Sequence, residues 1–316
     1  MDKSLLSIII PHFNSSNVLK KLLSTISQNI SVQTIVVDDK SEASHVQAIE
    51  KLKDKYDFEF YQNDRIKSAG TCRNIGLEHA QGKWVLFADS DDYFVDRFYD
   101  TVSKYFESGS DVVFFAPTSV YIDTGKTADR HEAYKKLLEN YLQDSGLKNE
   151  LSLRYQFAVP WSKMIKKELI DAHEIRFDEV MASNDVMFST KVGHFMQSFE
   201  VSREVIYCVT RNHGSLTANL KEEIFDARVG VIVSKASFLQ QNLSKEKFDI
   251  LKPKSAGFLL QSLTRYGIKK FLQVYVIYKK ENIKWFYFEY INPLVICEKM
   301  IKKIKIHKSI KKYNVK

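Results

Sequence analysis

The apolar run Trp84-Val85-Leu86-Phe87-Ala88 leads directly into Asp89-Ser90-Asp91-Asp92, and this junction restricts the chain more than any other stretch. A short run rich in aromatic and aliphatic residues, closed by a turn-like polar cluster, has the pattern of a buried strand. The acids then sit at the C-terminal edge of a parallel strand, where open α/β sheets bind ligands. Three carboxylates within four residues repel one another unless a cation shares them. A hard divalent ion held by one or two carboxylates plus substrate phosphates would do so. The other reading of these residues is the acidic first turn of a helix starting near Val95.

The first 115 residues alternate between the two periods of regular structure. Strand-like runs occur at Ser7–Ile10, Thr34–Val37, Phe58–Tyr61, Trp84–Ala88 and Asp111–Phe115. Helical spacing appears between them, as in Val18, Leu19, Leu22, Leu23 and Ile26, and again from Ala43 to Lys53 and from Thr71 to His79. This alternation predicts an α/β fold with a mainly parallel, helix-covered sheet. Residues 116–150 are polar and show no clear element. A helix is expected near Lys166–His173, another after Asp185, and a strand at Val205–Val209. Beyond Leu220 the pattern turns helical and basic, so the expected units are residues 1–218, divided at 115, and a helical extension over 219–316.

Asp38-Asp39 closes the second strand as Asp89 to Asp92 closes the fourth, so both clusters belong to one edge of a parallel sheet. A nucleotide suits that edge. One carboxylate can accept hydrogen bonds from base or ribose, and a metal at the other can bind the diphosphate. Phe13 could lie against a base, although an isolated Phe more often simply packs. A response-regulator pocket also uses paired acids after a strand, but here the main cluster follows the fourth strand, which disfavours that reading. The net charge of +8 points to an anionic partner. Cys72, Cys208 and Cys297 form neither a CxxC pair nor a disulfide framework, which suits a reducing compartment. With no signal-peptide pattern at Met1 and no apolar run of about 20 residues, a cytoplasmic protein is expected. His12, His79, His194 and His213 show no metal-ligand spacing.

Four motifs occur in order: Ser7-Ile8-Ile9-Ile10-Pro11-His12-Phe13-Asn14, Val36-Val37-Asp38-Asp39-Lys40-Ser41, Gly70-Thr71-Cys72-Arg73-Asn74-Ile75-Gly76-Leu77 and Asp89-Ser90-Asp91-Asp92. Together they resemble the inverting family 2 glycosyltransferases of GT-A fold, of the bacterial capsule or surface-polysaccharide type. Further on, Pro160-Trp161-Ser162-Lys163, Asn184-Asp185-Val186-Met187-Phe188 and Tyr207 to Thr217 are similar to the segments that carry and follow that family's catalytic acid. The resemblance implies a nucleotide diphosphate sugar donor, a UDP-sugar in most such enzymes, and Mn²⁺ or Mg²⁺ as cofactor. It implies a glycan acceptor, lipid-linked in many of these enzymes. By position, Asp39 would accept from the base, with Phe13 beside it and Pro11 and His12 shaping the pocket. Arg73 would neutralise diphosphate or pair with nearby acids. Asp89 would hold the ribose or the metal, Ser90 would belong to the donor site, Asp91 would ligate the metal, and Asp185 would be the general base. Trp161, Asn184, Arg211 and His213 would belong to the acceptor side or to a closing loop. The family usually has Glu where Asn184 stands, which implies an altered acceptor preference.

The C-terminal third falls outside the resemblance. Trp285-Phe286-Tyr287-Phe288 and the lysine-rich run that follows, interleaved with Ile301, Ile304, Ile306 and Ile310, suit the surface of an anionic membrane. A helical cap with a solvated tail is the alternative. Nucleic acid is not an expected partner, because no recognised module accompanies the charge. A polyprenyl-phosphate sugar synthase shares the N-terminal motifs, and a non-catalytic nucleotide-sugar-binding subunit is the reading that Asn184 leaves open.

Overall fold

The computed structural model describes residues 4–26, 31–211, 221–251 and 255–284. The N-terminal half is built as the periodicity predicts, from β1 (Leu6–His12), α1 (Ser16–Thr25), β2 (Val32–Asp38), α2 (Ala43–Leu52), β3 (Glu59–Gln62), α3 (Ala69–His79) and β4 (Trp84–Phe87). β1 pairs in parallel with both β2 and β4, and β3 extends the sheet beyond β2. All seven residues of β1 and all four of β4 are buried, as expected for strands with helices on both faces. Burying side chains such as Leu86 and Phe87 contributes roughly 1.5–3 kcal/mol each.

The second half departs from an all-parallel sheet. β5 (Tyr93–Phe94), α4 (Phe98–Ser103), β6 (Val112–Tyr121), α5 (Glu132–Gln143), α6 (Leu147–Gln156) and β7 (Lys163–Lys166) come next. They are followed by α7 (Lys167–Ala172), α8 (Asp185–Phe195) and the long β8 (Phe199–Arg211). The eight strands lie in the order β3-β2-β1-β4-β7-β6-β8-β5. β7 inserts antiparallel between β4 and β6, and β5 pairs antiparallel with the end of β8. The helix expected near Val95 starts only at Phe98, after Arg97 in a left-handed conformation. Asp89 to Asp92 are therefore not its first turn. They form a turn between β4 and β5, closed by the Asp92 N–H donating to the Asp89 carbonyl at 3.0 Å.

The Gly70–Gly76 motif is explained by what α3 touches. Gly70, Arg73 and Asn74, spaced i, i+3, i+4, share one face of the helix. A Cβ on Gly70 would meet the Asp178 carbonyl oxygen at 2.2 Å. The Asn74 amide grips the Phe177 backbone on both sides, donating to its carbonyl at 3.0 Å and accepting from its N–H at 2.8 Å. Gly76 lies against β1, where a Cβ would approach the Ile9 Cγ2 at 2.3 Å. α3 thus carries the segment that leads into α8 while lying flat on the sheet. Phe177 and Phe188 stack at 3.9 Å, and Phe87 meets both rings edge-on.

Beyond β8 the described chain is helical: α9 (Glu222–Asn242), α10 (Lys245–Leu251), α11 (Ala256–Tyr266) and α12 (Ile268–Lys280). Phe225, Val229, Leu259, Val274 and Tyr278 form their own core. A separate cluster of Leu151, Tyr155, Leu239, Phe248 and Leu251 fastens α9 and α10 to α6. Among the described residues, no helix is long and apolar enough to cross a membrane. His213, the Ser215-Leu216-Thr217 stretch and the aromatic and lysine-rich run from Trp285 lie outside the described residues.

Candidate active site

Because β1 lies between β2 and β4, the acids that end β2 and follow β4 share one edge of the sheet. At the β2 end, Asp38 is 1% exposed and takes hydrogen bonds from His12 Nδ1 at 2.8 Å and Ser41 Oγ at 2.5 Å. The Ser15 N–H donates to His12 Nε2 at 3.1 Å, which leaves Nδ1 as the donor to Asp38. His12 thus ties the β1–α1 turn to the end of β2 and is not open to a ligand. Pro11, next to it, is buried in register with Val37. Asp39 Oδ1 accepts from Asn63 Nδ2 at 2.8 Å, and its backbone N–H donates to the His12 carbonyl at 2.7 Å. Phe13 is 45% exposed, with the Lys67 ammonium 3.5 Å from its ring centre. It lies at the surface of this edge and not in the core.

At the β4 end the three acids separate. Asp92 turns inward, accepting from Tyr207 Oη at 2.9 Å and from the Thr210 N–H at 2.7 Å. Burial, then Asp89 and Asp91, push its carboxyl well above the usual carboxylate range. Tyr207 also accepts from the Asp89 N–H at 2.8 Å, so β8 clamps the acid turn at two points. Asp91 opens to solvent while protein groups around it desolvate its carboxyl, which rises through that desolvation and the neighbouring Asp89. Ser90 is buried, with its Oγ 2.9 Å from Ser15 Oγ. Among the described residues, no three His, Cys, Asp or Glu side chains converge as a protein-only metal cage. Asp92 serves the fold, so of the three acids it is the one turned away from any ligand. Asp91 with Asp89 suits an ion completed by substrate phosphates.

Arg73 joins this turn to the next element. Its buried guanidinium donates to Asp89 Oδ1 at 2.6 Å and to Asn184 Oδ1 at 2.8 Å. Of the two roles expected for Arg73, the structure shows pairing with a nearby acid. Its Nε is buried without a protein acceptor among the described residues. Asn184 sits at the N-cap of α8 but makes no capping bond. Its oxygen goes to Arg73 instead. Asp185 follows, half-buried. Burial raises its carboxyl, while Arg73 and, to a lesser extent, Lys163 act to lower it.

Of the residues expected on the acceptor side or in a closing loop, one lies in the core and another is already paired. Trp161 is 2% exposed, stacked on Tyr207 and edge-on to Tyr134, so it is a core residue and not a surface for an acceptor. Arg211 pairs with Asp129 and fastens the end of β8 to the segment before α5. Tyr207 and Lys163 stand within the sequence motifs, yet the motifs by themselves give them no role. Asn74 and Asp92 likewise stand within motifs that give them no individual role, and Asn63 and Lys235 are not singled out by any sequence pattern, because polar residues of this kind acquire meaning only from the partner the fold supplies.

Residues 7–173 match the family model described as glycosyl transferase family 2, and the chain belongs to that family. Bacterial transferases are among its relatives. A Bacillus subtilis protein named as putative glycosyltransferase EpsH is 23% identical over 257 residues, spanning 78% of this chain and 73% of EpsH. The cholesterol galactosyltransferase of Borreliella burgdorferi is 24% identical over 310 residues, spanning 92% of this chain and 81% of its own. The crystal structure of Staphylococcus aureus TarS 1-349 in complex with UDP-GlcNAc superposes with a TM-score of 0.60 at 23% identity, covering 83% of this chain and 73% of that one. The shared architecture is the GT-A fold.

The His12–Asp38–Ser41 network makes a pH prediction. Burial alone would raise the Asp38 carboxyl, but the hydrogen bonds from His12 and Ser41 outweigh it and hold the group below the usual range. A depressed carboxyl stabilises the fold above its unfolded value of about 3.9 and loses that contribution as pH falls towards the folded value. Asp38→Asn is therefore expected to lose about 1–3 kcal/mol in urea unfolding at pH 7. The gap to the unsubstituted protein should narrow below about pH 4.

Proposed function

We propose that this protein is an inverting, metal-dependent glycosyltransferase. It transfers a sugar from a UDP-sugar to a lipid-linked glycan at a membrane surface, in surface-polysaccharide synthesis. The observation that carries this reading is the Arg73 bridge, which sets the acid turn that would face the donor beside the residue pair that begins α8. The UDP-GlcNAc bound by TarS, on a like fold, supports the donor class.

Asp39 and Phe13, at the β2 end of the edge, would receive the base. The acid turn would face the diphosphate. A divalent ion held by Asp91 and Asp89 would neutralise charge as the nucleotide leaves. Asp185 would accept the proton of the acceptor hydroxyl, which is a poor nucleophile until a carboxylate within hydrogen-bond reach takes it. Its desolvated setting raises its basicity towards that task. Attack from the face away from the nucleotide would invert the anomeric centre. Asn184 gives Arg73 the oxygen acceptor that the family's Glu would offer, without a second negative charge beside the base. That difference would act on the acceptor before it acts on turnover.

UDP release from the donor in the presence of acceptor should fall about 10²- to 10⁴-fold in Asp185→Asn. Unchanged turnover would remove Asp185 as base. In thermal unfolding, UDP should raise the melting temperature only when Mn²⁺ is present, and Asp91→Ala should abolish the rise. A rise that survives Asp91→Ala would separate the metal from this residue.

Membrane association is supported by an aliphatic stripe on the C-terminal helices. Ile268, Leu272 and Val276, at i, i+4 and i+8 of α12, are 62%, 52% and 62% exposed. Lys269, Lys279 and Lys280 are exposed on the same helix. The sterol in the name of the Borreliella relative, a cholesterol galactosyltransferase, is in keeping with a lipid-borne acceptor. The protein should float with vesicles containing phosphatidylglycerol and not with phosphatidylcholine vesicles, and high salt should release it. Equal partition into both would defeat the charge-assisted reading.

A further inference from the structure

Two lysines from distant parts of the chain meet at the C-terminal end of α6, and one of them also touches the helix that begins with Asp185. Lys163, in β7, is 1% exposed, and its ammonium donates to the Phe157 carbonyl at 3.1 Å and to Ser189 Oγ at 3.0 Å. Ser189 lies one helical turn beyond Asp185 on α8, so this contact places the lysine head along the same helix face. Lys235, in α9, donates to the Tyr155 carbonyl at 2.5 Å. Tyr155 and Phe157 lie at the C-terminal end of α6, where helix carbonyls lack intrahelical partners and the helix dipole favours a cation. Neither ammonium has a carboxylate within salt-bridge distance among the described residues. Asp185 acts on both of them across space.

We propose that Lys163 and Lys235 are positioning residues: a desolvated cationic pair, anchored on the carbonyls that close α6, that keeps Asp185 ionised and in place as a proton acceptor. The proposal rests on Asp185 being the base. It also draws α9, which lies beyond the segment matched by the family, into support of the catalytic centre. The groups facing Asp185 are Arg73 from α3, Asp89 from the acid turn, Tyr134 from α5, Lys163 from β7 and Lys235 from α9. Arg73 is already engaged by Asp89 and Asn184. Arg73 still does most to lower the Asp185 carboxyl, and Lys163 adds to it from the other side of the helix start. Burial, partly offset by Asp185, leaves Lys163 lowered to about 7 and Lys235 to about 8, and Lys235 adds to the lowering of Lys163. The pair therefore carries most of its charge on the acid side of neutrality.

A double-mutant cycle on the full chain tests this without needing a substrate. Thermal unfolding is followed from acid to alkaline pH for the unsubstituted protein, Lys163→Met, Asp185→Asn and the double variant, with Lys235→Met taken through the same cycle. Near pH 6 to 7, each lysine substitution should lower the melting temperature about 2 °C or more further when Asp185 is present than in the D185N background. That excess should fade at low pH as Asp185 protonates, and above about pH 8 as the amines discharge. Lys163→Arg should retain it. Additive losses at every pH would overturn the proposal and leave the lysines as caps on α6. If Lys163→Met does not fold, the Lys235 cycle decides. Additive cycles with an inactive Asp185→Asn would reject the lysine pair and keep the base. Coupled cycles with a fully active Asp185→Asn would reject the base, and with it the catalytic meaning of the pair.

Discussion

The Arg73 guanidinium holds together the two parts of the chain that the proposed chemistry needs side by side. It reaches Asp89 at the end of β4 and Asn184 at the start of α8, residues 95 positions apart in sequence. Asp89 is partly open to solvent but the guanidinium is buried, so losing Asp89 would leave a desolvated cation without its charged partner. The bond to Asn184 adds direction, since a planar guanidinium fixes the relative placement of its acceptors. Gly70 and Asn74 on the same face of α3 dock the backbone before α8, so the ion pair acts on a segment already held by packing and by a paired amide.

Around that bridge the protein divides its acids by environment. Asp92 is buried and bonded to Tyr207 and Thr210, so it sets the shape of the turn. Asp91 faces outward and is raised by desolvation and by Asp89. Asp38 is tied to His12 and Ser41 and holds the ends of β1 and β2 together. Residues of one chemical type thus take structural and ligand-facing roles according to which neighbours desolvate or donate to them. β8 is central to the division, because Tyr207 touches both Asp89 and Asp92 from a strand more than a hundred residues away.

The C-terminal helices have a core of their own yet are fastened to α6 through Leu239, Phe248 and Leu251. The same junction brings Lys235 to the end of α6. A change in how α9 seats on α6 would therefore shift Lys235 against the carbonyl that it caps.

The sequence by itself determined the N-terminal sheet. Its strands are continuous apolar runs and its helices carry clear 3.6-residue spacing, both of which are local signals. It also determined that the acids of β2 and β4 share an edge, since strands joined by helical crossovers run parallel. The helical spacing of Tyr134, Leu137, Leu138 and Tyr141 was equally legible, and α5 could have been read from it. Only the tertiary structure decided that β7 would enter antiparallel, because strand direction depends on the partner and not on the strand. Only it decided that Trp161 would be core and Arg211 a fastening, that Asp92 would turn inward, and that Arg73 would reach Asn184. Those outcomes are contacts between residues far apart in the chain, and no local pattern encodes which polar group will find which partner once water is excluded.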